Sequence, residues 1–494
     1  MEGEICILFA NREFVLNKYT KPTFCNLPTA SELRATLLAG EDADARKQIA
    51  MLFDDNTFVE TAAYTQRGFS EFLATEKTNQ LEGVICGYGA IDGKLVFAFV
   101  EDASRMGGAI DDRHAKKITD LYNMAMNNGA PVIGIFNSNG TDVFEGTAGL
   151  AAYGRIISSV TKASGVIPQI AYVAGNCVGT CAAIASMFDF VIKKDSASLY
   201  VTSPGLTGEF NAQDAIVTYS ANEELCMGYI ISLISFLPSN ASALKLESNI
   251  CTDNLNRKLG NLDFGGDALY TISVIADNGM FIDINHDNGS GYSTAFCTIG
   301  GVKCGVVCSS FNTNEGRIDA AIARKVARFV SFCDSYSIPI VTLVDSMGLA
   351  IDKTNEAIFA PELAKLAMAY AASTCPKITV ILGHAIGASF VLLGSKSLGA
   401  DIVYSTEDSE IGALSAESGV AFAWDKYITE ETTREQLIND WRTTVSSPAN
   451  AAASGEVDDI ISINELRARI CSALLMLCTK GASPVIGKRR ILPF

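Results

Sequence analysis

Apolar residues in this chain fall into short continuous runs separated by segments of helical spacing. Residues 83–88 and 94–100 alternate in strand fashion around Ile91-Asp92-Gly93, which predicts a hairpin. Apolar positions recur at helical intervals over 112–128 until Asn-Asn-Gly stops them. The run 131–136 reads as a buried strand ending in a turn at 137–140, followed by a helix at 149–164 and a second buried strand at 169–174. A turn over 175–179 then opens a small-residue helix at 180–187. Upstream, 43–53 has helical spacing and 57–64 is extended. Further along, the order returns: strand 303–309, helix 319–336, strand 339–344, helix 361–373, strand 378–382 and helix 388–395. Continuous apolar strands alternating with helices imply an α/β fold with a mainly parallel sheet covered on both faces.

The second series is a copy of the first, offset by 208 residues: Lys117 and Lys325, Pro131 and Pro339, Gly140 and Gly348, Pro168 and Pro376, and Gly179 and Gly387 are all related by it. Each copy is roughly 200 residues, far longer than a solenoid repeat, and can bury its own core. The sequence therefore predicts two similar domains, 1–250 and 251–494, with the boundary in the polar, Asn-rich stretch 239–267.

A net charge of -17 without a long basic run excludes nucleic acid and anionic membrane as direct partners. No stretch of about 20 apolar residues suggests a membrane span. The 14 cysteines sit mostly in apolar segments, contain no CxxC pair and follow no secretory signal, so free thiols in a reducing cytoplasm are expected. The three histidines, at 114, 286 and 384, form no HExxH pattern, and no metal is expected.

With no phosphate loop and no assembled Ser/His/Asp triad, chemistry falls to backbone donors. A strand feeding a helix through small residues presents free N–H groups at the positive end of a helix dipole, where an oxyanion can be held. Gly179 with Thr180, and Gly387 with Ala388 and Ser389, meet that demand once per copy; Gly107 and Gly108 supply a further small-residue turn in the first. The alternative is that these glycines serve only close helix–sheet packing. Glu145 and Gly146 could contact a ligand, and His384, beside the second turn, is a candidate for catalysis.

Arg105-Met-Gly-Gly-Ala109, His114-Ala-Lys-Lys-Ile118, Gly129-Ala-Pro-Val-Ile-Gly134, Glu145-Gly146, Ser164-Gly-Val-Ile-Pro-Gln-Ile170, Gly175-Asn-Cys-Val-Gly179 and Phe188-Asp-Phe190 together resemble the carboxyltransferase subunit of biotin-dependent acyl-CoA carboxylases and the related acyl-CoA decarboxylases. The resemblance runs from Ile49-Ala-Met-Leu-Phe53 to the basic end Gly487-Lys-Arg-Arg-Ile-Leu-Pro493. It implies two tandem crotonase-like domains, the N-terminal one binding an acyl-CoA thioester and the C-terminal one facing carboxybiotin, each carbonyl oxygen in a backbone oxyanion hole. It also implies biotin on a separate carrier protein, a separate biotin carboxylase for the forward direction, a membrane subunit as partner for a decarboxylase, and an oligomer of at least two chains.

The second copy departs from the family pattern. Where the family commonly has Arg-Lys-Ala-Tyr-Gly-Gly-Ala-Tyr, this chain has Gly383-His-Ala-Ile-Gly-Ala-Ser-Phe390, followed by Val391, and Phe390 and Val391 suggest an apolar pocket. The family's Pro-Gly-Phe loop appears as Ser346-Met-Gly-Leu349. Competing readings are a non-catalytic subunit paired with an active homologue, and a crotonase-type hydratase or isomerase; the latter lacks a pair of acidic residues beside Gly179.

Overall fold

The computed structural model describes residues 29–38, 43–67, 81–142, 145–202, 205, 216–243, 251–259, 266–284, 291–351, 353–429, 431–478 and 480. The first sheet contains β1 (Val59–Thr61), β2 (Val84–Ile91), β3 (Lys94–Glu101), β4 (Val132–Ser138), β5 (Gln169–Val178), β6 (Phe190–Lys194), β7 (Ser198–Tyr200) and β8 (Tyr219–Ala221). Its order is β1-β2-β3-β4-β5-β6-β8, with β7 pairing β5. The second contains β9 (Phe281–Ile284), β10 (Tyr292–Ile299), β11 (Val302–Ser309), β12 (Ile340–Ser346), β13 (Lys377–Ile386), β14 (Ile402–Thr406), β15 (Glu410–Gly412) and β16 (Asp459–Ile461), and repeats the order as β9-β10-β11-β12-β13-β14-β16 with β15 on β13.

The hairpin forms where the alternation places it, closed by Asp92 and Gly93, both at positive φ as a two-residue turn on twisted strands requires. From there the sheet turns parallel, and β4 and β12 are almost wholly buried, as their continuous apolar runs demand. The crossover helices α1 (Asp112–Asn128) and α2 (Thr147–Ala163) serve the first sheet, and α3 (Thr180–Ala185) follows β5. Their counterparts are α4 (Ala320–Ser335), α5 (Lys353–Ala372) and α6 (Ala388–Leu392). Asp111 and Asp319 cap α1 and α4, accepting from the N–H of His114 and Ile322.

The duplication holds bond by bond. Lys117 Nζ donates to the Val84 carbonyl at 2.5 Å, and Lys325 Nζ to the Tyr292 carbonyl at 2.8 Å, each lysine buried beneath its sheet. Gly108 and Gly316 lie so close to the strand beside them that a Cβ would come within 2.3 Å of the Asn137 carbonyl oxygen and 2.1 Å of that of Asp345. Beyond Gly387 the copies drift apart: Phe190 is answered by Ile402, and Tyr219 by Asp459, the latter because the stretch between β15 and β16, which carries α7 (Arg434–Thr444), is longer than that between β7 and β8.

The boundaries of β5, β13 and α5 differ most from expectation. β5 and β13 run on to Val178 and Ile386, since the short strands β7 and β15 pair with their last residues, so the turn contracts to a single glycine. Helix α5 begins at Lys353, with Pro361 inside it. A proline removes one helical N–H, while Phe359, Leu366 and Tyr370 keep an unbroken apolar face on the core.

That core is shared. Phe190 of the first sheet packs edge-on against Phe296 and Phe332 of the second copy, ring centroids 6.1 and 4.8 Å away. The Arg328 guanidinium donates across to the Phe188 and Asp189 carbonyls.

Replacing a buried lysine tests the inherited bond. Lys325→Met leaves the Tyr292 carbonyl without that donor and is expected to lower stability by about 1–3 kcal/mol in chemical denaturation; an unmoved midpoint would contradict the assignment.

Candidate active site

The parallel strands of each sheet end on the same side, and there two turns flank the tip of the central strand. In the first copy the turn after β3 carries Met106, Gly107 and Gly108, while β5 passes through Gly179 into α3. With the order β3-β4-β5, both lie over the end of β4. Gly179 has φ 63° and ψ -128°, a conformation that only glycine adopts without strain. Its N–H donates to the Tyr200 carbonyl of β7 at 3.0 Å. Gly387 repeats this at φ 59° and ψ -129°, donating to the Gly412 carbonyl of β15 at 2.8 Å.

The Gly179 and Gly387 N–H groups are thus engaged by the sheet, while Thr180 and Ala388 open α3 and α6, where a first-turn N–H has no intrahelical acceptor. The glycines supply the bend. A Cβ on Gly179 would meet nothing within 4 Å, so the bend has open space beside it. Across the tip of β4, the Gly107 carbonyl accepts from Asn139 N–H, as the Glu315 carbonyl accepts from Met347 in the second copy.

The tips of the central strands differ in chemistry. In the first copy the Asn137 side-chain oxygen accepts from the Asn176 N–H at 3.1 Å. In the second, Asp345 replaces Asn137 and His384 replaces Asn176. Asp345 Oδ1 accepts from both the His384 backbone N–H and ring Nδ1, each at 2.8 Å. Phe311, where the first copy has Ala103, stacks on the imidazole with centroids 4.9 Å apart. The hydrogen bond to Asp345 raises the His384 pKa, burial opposing it. Gly383 is obligatory beside this pair, since a Cβ would fall 2.5 Å from the Asp345 carboxylate.

Beneath the first copy's tip lies a cluster that strand periodicity does not reveal. Glu82, Glu101 and His114 are all at most 2% exposed, with imidazole nitrogens 3.7 Å from Glu82 and 3.9 Å from Glu101. Burial pushes the Glu101 carboxyl up to about 7 against His114 and the Asn137 N–H, which donates to it at 2.8 Å. Burial presses on Glu82 too, but His114, the Gly83 N–H and Arg67 outweigh it, and its pKa falls below the usual value.

The remaining candidates take smaller parts. Glu145 accepts from the Asp112 N–H at the start of α1, and Gly146 precedes α2 at φ 56°. Ser389 is buried, its hydroxyl donating to the Ile386 and Ser346 carbonyls. Phe390 is half-buried against the hydrophobic core, whereas Val391 is exposed. His286 and the basic end at 487–493 lie outside the described residues.

Residues 40–492 match the family described as carboxyl transferase domain. The chain is 32% identical over 480 residues to the methylmalonyl-CoA decarboxylase subunit alpha of Veillonella parvula, covering 91% of this chain and 92% of that one. It is 30% identical over 491 residues to the propionyl-CoA carboxylase beta chain of Saccharopolyspora erythraea, covering 91% and 90%. Among solved structures it is similar to transcarboxylase 12S, a hexamer assembly with methylmalonyl-coenzyme A and methylmalonic acid bound: TM-score 0.86, 28% identity, 95% of this chain and 99% of that chain covered.

The raised Glu101 carboxyl fixes the sign of a pH effect. Between about 4.5, its ordinary value, and about 7 the folded chain holds a proton that the unfolded chain has released, so this group's contribution to stability falls as pH rises through that window. Glu101→Gln preserves the acceptor for Asn137 and is expected to flatten that part of the melting temperature's pH dependence; an unchanged slope would assign the effect elsewhere.

Proposed function

This chain belongs to the carboxyl transferase family, with two crotonase-like domains in tandem, and from that premise we propose that it moves a carboxyl group between the ureido nitrogen of biotin and the α-carbon of a short-chain acyl-CoA. Residues 1–250 form the acyl-CoA side and 251–494 the biotin side. A substituted malonyl-CoA is the donor, in keeping with the names of the relatives. The partners are a biotin carrier protein, a biotin carboxylase where the reaction runs forward, and further copies of the chain, all in a reducing cytoplasm where its free thiols persist.

The observation that carries this reading is the pair of glycine elbows. Each commits its own N–H to the sheet and is followed at once by a helix start, whose first N–H has no intrahelical acceptor. In the first copy, Thr180 N–H with the Gly107 turn would hold the thioester oxygen as negative charge gathers on it. A fixed donor of this kind accounts for roughly 10²–10³ in rate. The threonine side chain leaves that N–H available, because the helix start sets its direction.

In the second copy the donor set suits a carbonyl oxygen in the same way: the Ala388 N–H faces outward, with the Phe311–His384 stack and the exposed Val391 around it. Biotin, when bound there, supplies the nitrogen that carries the carboxyl group. This chain's part is to fix two carbonyl oxygens, orient the carbon and nitrogen that exchange the carboxyl group, and move one proton in the opposite sense. Neither oxygen calls for a side-chain nucleophile.

The test is carbon dioxide release from malonyl-CoA and methylmalonyl-CoA by the purified protein with free biotin. Biotin-dependent release is expected; its absence, with CoA-ester binding intact, would overturn the reading. Gly179→Val puts a branched side chain at the bend that leads into Thr180 and is expected to reduce release about 100-fold or more, while Gly179→Ala, less bulky, should lose less. Full turnover by a folded Gly179→Val protein would remove Thr180 from the role.

A further inference from the structure

We propose that His384, held by Asp345, is the proton-transfer residue of the second copy's site, an assignment that rests on the carboxyl-transfer reading above. The duplication supplies an internal comparison. At the same bonds, the first copy has Asn137, Asn176 and Ala103, none of which titrates, while the second has Asp345, His384 and Phe311.

Several independent features make the pair an acid–base unit. Asp345 Oδ1 already accepts the His384 backbone N–H, so the ring's Nδ1 must approach it as a second donor, which fixes the proton of the neutral ring on Nδ1. Nε2 is then the basic nitrogen and bonds to no described residue. The His384 side chain is one-third exposed, so Nε2 has access to a ligand, whereas Asp345 is 9% exposed in its side chain and is shielded. Phe311 stacked on one ring face holds the imidazole in a single plane. The other charged groups facing the ring are Glu410, paired with His384 across β13–β15, and Arg442 of α7, which itself donates to Glu410 at 3.1 Å, so the two largely neutralise each other.

His384 lies on the last residues of β13, four before Ala388, so the base and the outward N–H belong to one strand end. The step is conservative. Decarboxylation breaks the bond between the α-carbon and the carboxyl carbon and leaves the electron pair on the enolate. As the acceptor nitrogen bonds to carbon dioxide, His384 Nε2 takes the proton it releases. His384 then returns that proton to the α-carbon, and Asp345 stabilises the imidazolium between the two transfers. One carboxyl group and one proton have exchanged places, with no oxidant or reductant.

The protein has only three histidines, so selective ¹³Cε1-histidine labelling gives at most three ring signals, and His384→Gln identifies the relevant one. In wild type that signal should titrate above the ordinary histidine value, and Asp345→Asn should move its midpoint to lower pH. Biotin-dependent carbon dioxide release should show an acid limb that follows the same midpoint in both proteins, because the base must be neutral. His384→Gln should lower release roughly 100-fold or more with CoA-ester binding retained, and imidazole should partly restore release in His384→Ala. Release and pH profile unchanged in His384→Gln would overturn the proposal while leaving carboxyl transfer standing. A limb that does not move in Asp345→Asn although the ring signal does would overturn it as well. A wild type that binds CoA esters yet never responds to biotin would overturn both readings together.

Discussion

Everything at the two sites depends on one backbone constraint: a glycine at φ near +60° whose N–H is tied to a strand arriving from later in the chain. That bond, Gly179 to Tyr200 and Gly387 to Gly412, locks the bend. Once it is locked, the following helix must start in a set direction, and its first N–H cannot turn back into the protein. In the function proposed here that N–H is a donor preorganised by the sheet before any ligand arrives, which is the condition under which a hydrogen bond contributes to catalysis instead of only to binding. Gly108 and Gly316 serve the same end from the neighbouring strand, since their lack of a side chain lets the opposite turn close on the tip of the central strand.

The layers beneath are arranged to hold that tip still. Asn137 is fixed through its own N–H by Glu101 and through its side chain by the Asn176 N–H. Asp345 is fixed in the equivalent way by Ser309 and His384. A buried carboxyl at one position and a hydroxyl at the other show that the geometry, and not the particular acceptor, is what the fold requires. The charge placed there is free to differ.

The order of strands and helices was legible because the 208-residue offset doubles every signal: a weak strand such as 303–309 is supported by its partner. The small-residue turns were legible for the same reason. What could not be read was whatever depends on pairing between distant segments. Residues 175–178 look like a turn until β7 is placed beside them, and only then is the Gly179 N–H seen to be engaged by the Tyr200 carbonyl. Glu82, Glu101 and His114 come from three elements whose convergence no local period encodes. His384 stood out in the sequence as a candidate beside the second turn, but its partner Asp345 did not.

The shared aromatic core has a further consequence. Where two identical subunits meet around a symmetry axis, any change in one site is imposed on the other. Here the halves are joined in one chain and fused through Phe190, Phe296 and Phe332, so the contact between them is permanent while the two strand tips are encoded separately. Duplication has thus released the pair from enforced symmetry. A neutral asparagine can be kept at one strand tip and a charged aspartate acquired at the other, dividing between two copies of one scaffold work that a symmetric ancestor would have had to perform with a single set of residues.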